Sequence, residues 1–110
     1  MINYTTPTIT LYVIGLDITG NDIYVSLKQG AVKLKKTGAD ITAVYETVGD
    51  KTQTKITLEL SQTETAIFNN KDIVRAQVNW ITPDGTRGAT RKATLNVETN
   101  LLDEVIQYGA

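Results

Sequence analysis

The chain contains no cysteine and no histidine. Without thiols there is no disulfide, no thiolate nucleophile and no Cys-ligated metal. Without imidazole, the usual general base and the commonest transition-metal ligand are both missing. Long apolar runs are missing too: no window approaches the roughly 18 consecutive apolar residues of a membrane-spanning helix. The opening stretch Met1-Ile2-Asn3-Tyr4-Thr5-Thr6-Pro7 lacks a basic segment leading into an apolar one, so no secretory signal is read and synthesis in the cytoplasm is expected.

An excess of either charge is also lacking. Eleven basic and twelve acidic residues leave a formal charge of −1. That balance points to neither nucleic acid nor an anionic membrane as partner, and it leaves little repulsion to oppose self-association. What the chain does have is 110 residues, 41% of them hydrophobic, and many threonines, valines and isoleucines. The length suits a single domain over 1–110 with one core, and β-branched side chains favour the pleated surface of a sheet.

Period-two alternation marks the strands. In 8–14, Ile9, Leu11 and Val13 oppose Thr8, Thr10 and Tyr12; in 22–28, Ile23, Val25 and Leu27 oppose Tyr24, Ser26 and Lys28. Between them Gly15 and 17–21 read as a bend and loop. A short strand follows with Val32 and Leu34 alternating with Lys33 and Lys35, suited to an edge where lysines discourage unwanted pairing. Strands at 41–48 and 54–60 form a hairpin across Gly49-Asp50-Lys51. In 73–82, Val74, Ala76, Val78 and Trp80 face inward, with Trp80 as a core anchor. Pro83-Asp84-Gly85 turns the chain into a return strand over 86–98, with Ala89, Ala93, Leu95 and Val97 on one parity and a bulge suggested at Gly88.

Two stretches break the pattern. Ser61-Gln62-Thr63-Glu64 has capping-box spacing, predicting a short helical turn near 62–68 with Ala66, Ile67 and Phe68 as an apolar plug. Residues 1–7 form an N-terminal arm, and 100–110 an apolar tail. Read as a helix, the tail would gather Leu101, Leu102, Val105 and Ile106 into one stripe, either folded back on its own domain or presented to a neighbouring subunit. The whole predicts an all-β, antiparallel immunoglobulin-like sandwich of about seven strands rather than a βαβ fold.

No catalytic, cofactor-binding or metal-ligating residue is nominated. The loop 17–22 has oxygen-bearing side chains but not the closing glutamate of an EF-hand, and reads as a polar turn. Ser26 and Ser61 have no histidine to activate them. Nothing pairs two carboxylates for hydrolysis. Lys33, Lys35 and Lys36 cluster, as do Arg87, Arg91 and Lys92, but without interleaved aromatics they read as solvated strand faces, not a nucleic-acid site. Two functional readings remain: docking through Leu101, Leu102, Val105 and Ile106, or a carbohydrate-binding module using Tyr12 and Tyr24, whose rings would share an outer face if their strands paired.

The corner Thr57-Leu58-Glu59-Leu60-Ser61-Gln62-Thr63-Glu64-Thr65-Ala66-Ile67-Phe68 resembles that of small tailed-phage and prophage structural proteins of Gram-positive bacteria. So do its continuation Val74-Arg75-Ala76-Gln77-Val78-Asn79-Trp80, the Asp84-Gly85-Thr86 hairpin, and the early 23–30 stretch followed by Leu34-Lys35-Lys36. The likeness extends to Leu95-Asn96-Val97 before the leucine-rich tail. It implies kinship with the immunoglobulin-like N-terminal domain of upper baseplate proteins. It further implies a virion location, other tail or baseplate proteins as partners, and no catalytic residues to carry over; a homo-oligomer is the expectation of the docking reading.

Overall fold

The computed structural model describes residues 1–109. Eight strands are present: β1 (Thr8–Ile14), β2 (Asp22–Gln29), β3 (Val32–Thr37), β4 (Ile41–Val48), β5 (Lys51–Glu59), β6 (Val74–Ile81), β7 (Arg87–Ala89) and β8 (Ala93–Leu95). A 3₁₀ turn, Gly38–Asp40, leads into β4, and α1 (Gln62–Ala66) joins β5 to β6. One sheet has the order β1-β5-β4; the other has β3-β2-β6, with β7 and β8 both paired to β6. Every named strand pair is antiparallel. The fold is an all-β sandwich. Its strand order follows the immunoglobulin pattern, with β1-β5-β4 in the places of B-E-D and β3-β2-β6-β7 in those of C′-C-F-G.

Alternation supplies the core as expected. Ile9 and Val13 of β1, Ile56 and Leu58 of β5, Ile23, Val25 and Leu27 of β2, and Val74, Ala76 and Val78 of β6 form one buried cluster. Segments outside the strands complete it: Ile18, Leu60, Phe68 and Val97 are each buried. Ile18 reaches inward from the loop read as polar. Thr54 holds it there, its hydroxyl accepting from the Ile18 N–H at 3.1 Å and donating to the Leu16 carbonyl at 2.6 Å.

Two hairpins close with two-residue loops whose first residue is glycine. Gln29 faces Val32 across Gly30-Ala31, and Val48 faces Lys51 across Gly49-Asp50. Gly30 and Gly49 sit at φ of 58° and 65°, the conformation that lets such a turn follow the twist of its strands. β5 accordingly starts at Lys51, three residues earlier than the alternation suggested.

The corner after β5 is built as its spacing predicts. Ser61 Oγ accepts from the Glu64 N–H at 3.1 Å, and Glu64 Oε1 accepts from the Ser61 N–H at 2.9 Å. Both halves of the capping box are thus present. The plug is narrower than expected: Phe68 and Thr65 are buried, while Ile67 is exposed.

The return strand departs from expectation. It is two three-residue strands, because Thr90 takes over part of the ladder: its hydroxyl accepts from Val78 N–H and its carbonyl from the Gln77 side chain. Residues 90–92 fall outside both strands, although the Thr90 N–H still donates to the Val78 carbonyl at 2.9 Å, and Ala89 and Ala93 are exposed. Gly88 marks no bulge. It stays paired with Trp80, and a Cβ there would lie 2.4 Å from the indole. Trp80 itself is half-buried at the border of the core.

The N-terminal arm lies against the segment that follows β8. Ile2 bridges Glu98 in parallel, and the Glu98 N–H donates to the Met1 carbonyl at 2.7 Å. Asn3, only 5% exposed, becomes a clamp between distant segments. Its amide nitrogen donates to the Phe68 carbonyl at 3.1 Å and its oxygen accepts from the Asn100 N–H at 2.7 Å.

Candidate docking surfaces

Residues 100–109 form neither helix nor strand, so the stripe that a helix would gather is not formed. Their backbone is claimed by side chains far away in sequence. Asn3 fixes Asn100, and the Gln62 amide makes a reciprocal pair with Ile106, accepting from its N–H at 2.9 Å and donating to its carbonyl at 2.7 Å. Helical i→i−4 bonds are replaced by these long-range ones. The apolar side chains are consequently left outside: Leu101 is fully exposed, and Leu102, Val105 and Ile106 are 49%, 52% and 53% exposed. Tyr108 is also fully exposed. The pinned backbone thus turns leucine, valine and isoleucine to solvent as an exposed apolar surface.

A second surface brings together members of the two cation clusters that lie apart in sequence, Lys33 and Lys35 from one and Arg87 and Lys92 from the other. The antiparallel register sets Lys33 opposite Lys28 and Lys28 opposite Arg75, three cations in one row across β3, β2 and β6. Arg87 and Lys92 border the same depression on the outer face of this sheet, and Lys35 lines its continuation beside Tyr24. Asp72 also borders it. Among the described residues none of these six cations forms an ion pair; Lys36, at the end of β3, does, with Glu64 at 2.7 Å. Like charges set directly opposite one another across strands are destabilising. Half of this signal was readable, since the two-residue loop at Gly30-Ala31 pairs Lys28 with Lys33. The other half depends on β2 pairing with β6, which adjacency in sequence does not reveal.

Tyr12 and Tyr24 do not share a face. β1 pairs with β5 and β2 pairs with β3 and β6, so the two rings project from different sheets, 48% and 37% exposed. A two-tyrosine sugar platform is therefore not assembled within one chain.

Several polar groups are spent on the architecture. Thr19 donates side-chain and backbone hydrogen bonds to Asp17, and these hold its carboxyl below the usual range. Asp84 is lowered in the same way, first by the Thr82 hydroxyl and then by Thr86. At Glu64, partial burial raises the pKa, but the Lys36 ammonium and the Ser61 hydrogen bonds outweigh it, and the net direction is down. Each of these carboxylates is stabilised as an anion in a turn or cap, the opposite of what a general acid requires. No group of three or more Asp and Glu that could hold a metal ion occurs among the described residues, and no helix there is long and apolar enough to cross a membrane.

Fold and surfaces together define an immunoglobulin-type β-sandwich with two exposed surfaces of contrasting chemistry. In comparisons with known proteins, no family model, no curated protein and no solved structure matches the chain.

Proposed function

We propose that the chain is a non-enzymatic structural module that docks to neighbouring proteins and to copies of itself, of the kind that builds a phage or prophage tail or baseplate. The observation that carries this reading is the C-terminal segment, whose backbone is fixed by Asn3 and Gln62 while its apolar side chains face solvent. The phage setting, and with it a virion location and tail or baseplate partners, is supported by the resemblance of the 57–68 corner and the motifs that follow it. An assembly role fits a side-chain inventory in which Ser61 and Glu64 are committed to a cap.

Leu101 is fully exposed and Leu102, Val105 and Ile106 about half, so burying what they still expose would contribute roughly 4–8 kcal/mol at the usual value of about 1.5–3 kcal/mol per fully buried side chain. Association itself costs about 4–15 kcal/mol in lost freedom. The segment alone therefore supports weak binding at most, and a stable assembly needs a second contribution.

Deleting the chain from Leu101 onward tests the reading. The far-ultraviolet circular dichroism of the sandwich should persist, and oligomers seen by sedimentation equilibrium should disappear. An unchanged mass distribution would reject docking through this segment.

A further inference from the structure

The cation-rich face and the C-terminal segment are chemically complementary. Six of the chain's eleven basic side chains, Lys28, Lys33, Lys35, Arg75, Arg87 and Lys92, gather on one face and its margin, although the chain as a whole is balanced at −1. The C-terminal segment carries the reverse pattern. Asp103 and Glu104 stand exposed between exposed Leu101-Leu102 and Val105-Ile106. Among the described residues of one copy neither carboxylate forms an ion pair. The register places Lys28 directly between Lys33 and Arg75, so the face holds its cations against their mutual repulsion, and an anion inserted along that row relieves it.

We infer that this face receives the C-terminal segment of a second copy, with Asp103 and Glu104 entering among Lys33, Lys28 and Arg75. The flanking apolar residues cover the ground toward Tyr24. Charge balance favours this occupant over a nucleic acid: a sequence pI of about 5.3 is far from the strongly basic character of nucleic-acid-binding domains. The contact is heterologous, one surface meeting a different one, and supplies the electrostatic contribution that apolar burial alone lacks. The inference rests on the assembly reading above and adds the receiving surface to it.

The test is sedimentation equilibrium of the full chain in four forms: unaltered, Lys28→Glu/Arg75→Glu, Asp103→Lys/Glu104→Lys, and all four changes together. Every altered position is exposed, so the sandwich is expected to survive, as circular dichroism will report. Association of the unaltered chain should weaken about tenfold between low salt and about 1 M, where the screening length contracts to ~3 Å. Either double reversal should weaken it at least tenfold, and the fourfold exchange should restore it. If a reversal variant does not fold, titrating the unaltered chain with a peptide of residues 100–110 decides instead. Shifts of the Lys28, Lys33 and Arg75 amides are expected, and their absence would overturn the inference.

Indifference to Lys28→Glu/Arg75→Glu, or no restoration by the fourfold exchange, would also overturn it. If removing the segment from Leu101 abolishes oligomers while Lys28→Glu/Arg75→Glu keeps them, the receiving face is wrong and the assembly reading stands. If neither change alters the mass, both fall. A chain that stays monomeric yet binds a labelled single-stranded oligonucleotide through these lysines assigns the face to nucleic acid and overturns the inference.

Discussion

Gly88→Ala probes a contact that leaves no room for a single added methyl group. Gly88 faces Trp80 across β7 and β6. A Cβ at Gly88 would lie 2.4 Å from Cζ2, 2.5 Å from Cε2 and 2.7 Å from Nε1 of the indole. Ordinary carbon contacts lie at about 3.5–4.0 Å, so the ring must retreat by more than an ångström, and the neighbouring core limits how far it can go. Overpacking of this kind costs about 1–3 kcal/mol. Against it stands the gain of about 0.4–1 kcal/mol that alanine brings by stiffening the unfolded chain, available because Gly88 has no positive φ. The net expectation is a loss of about 1–2 kcal/mol, or a melting temperature roughly 5–12 °C lower for a domain of this size.

Trp80 is the chain's single tryptophan, so its fluorescence reports the same site. Emission should shift to the red as the displaced ring meets water. The control is a double-mutant cycle. In a Trp80→Leu background the obstructing ring is gone, and Gly88→Ala should be neutral or stabilising. Equal effects of Gly88→Ala in both backgrounds would refute the seating of the indole on Gly88.

Thr54→Val, nearly isosteric, removes the hydroxyl that bonds both the Ile18 N–H and the Leu16 carbonyl. Leaving the buried Ile18 N–H unpaired should cost about 1–3 kcal/mol, read as a lower urea midpoint with faster amide exchange at Ile18; an unmoved midpoint would contradict the clamp. At Glu64 the folded-state pKa lies below the unfolded one. Its stabilisation is therefore present above the ordinary glutamate range and lost as pH falls through the lowered folded value. Stability–pH curves of the native chain and Glu64→Gln should diverge at neutral pH and converge in acid, since glutamine can keep the cap but not the charge; parallel curves would exclude Glu64 as the source.

Much of the architecture was readable because it depends on neighbouring residues. Burial of every second side chain places Val25, Leu27, Val74 and Val78 whatever their strands pair with. The Ser61–Glu64 box closes within one turn, and the sequence Gly30-Ala31 tolerates the positive φ its loop requires. Other features need a partner brought from far along the chain. The return strand breaks because Thr90 meets Val78 and Gln77. Gly88 is small because Trp80 lies over it. Tyr12 and Tyr24 were placed on one face only by assuming a pairing that β5 takes instead.

The two candidate surfaces show where that division falls. The apolar character of Leu101, Leu102, Val105 and Ile106 is a property of the sequence alone, as is the lysine-rich composition of 28–36. That the C-terminal segment is not a helix was decided by Asn3 and Gln62, and that Lys33, Lys28 and Arg75 form a row was decided by β2 pairing with both β3 and β6. Side-chain period and turn chemistry are local and act wherever the residues occur. Register is set only when separated strands bury their apolar faces together, so any surface that spans several strands comes into being with the tertiary fold.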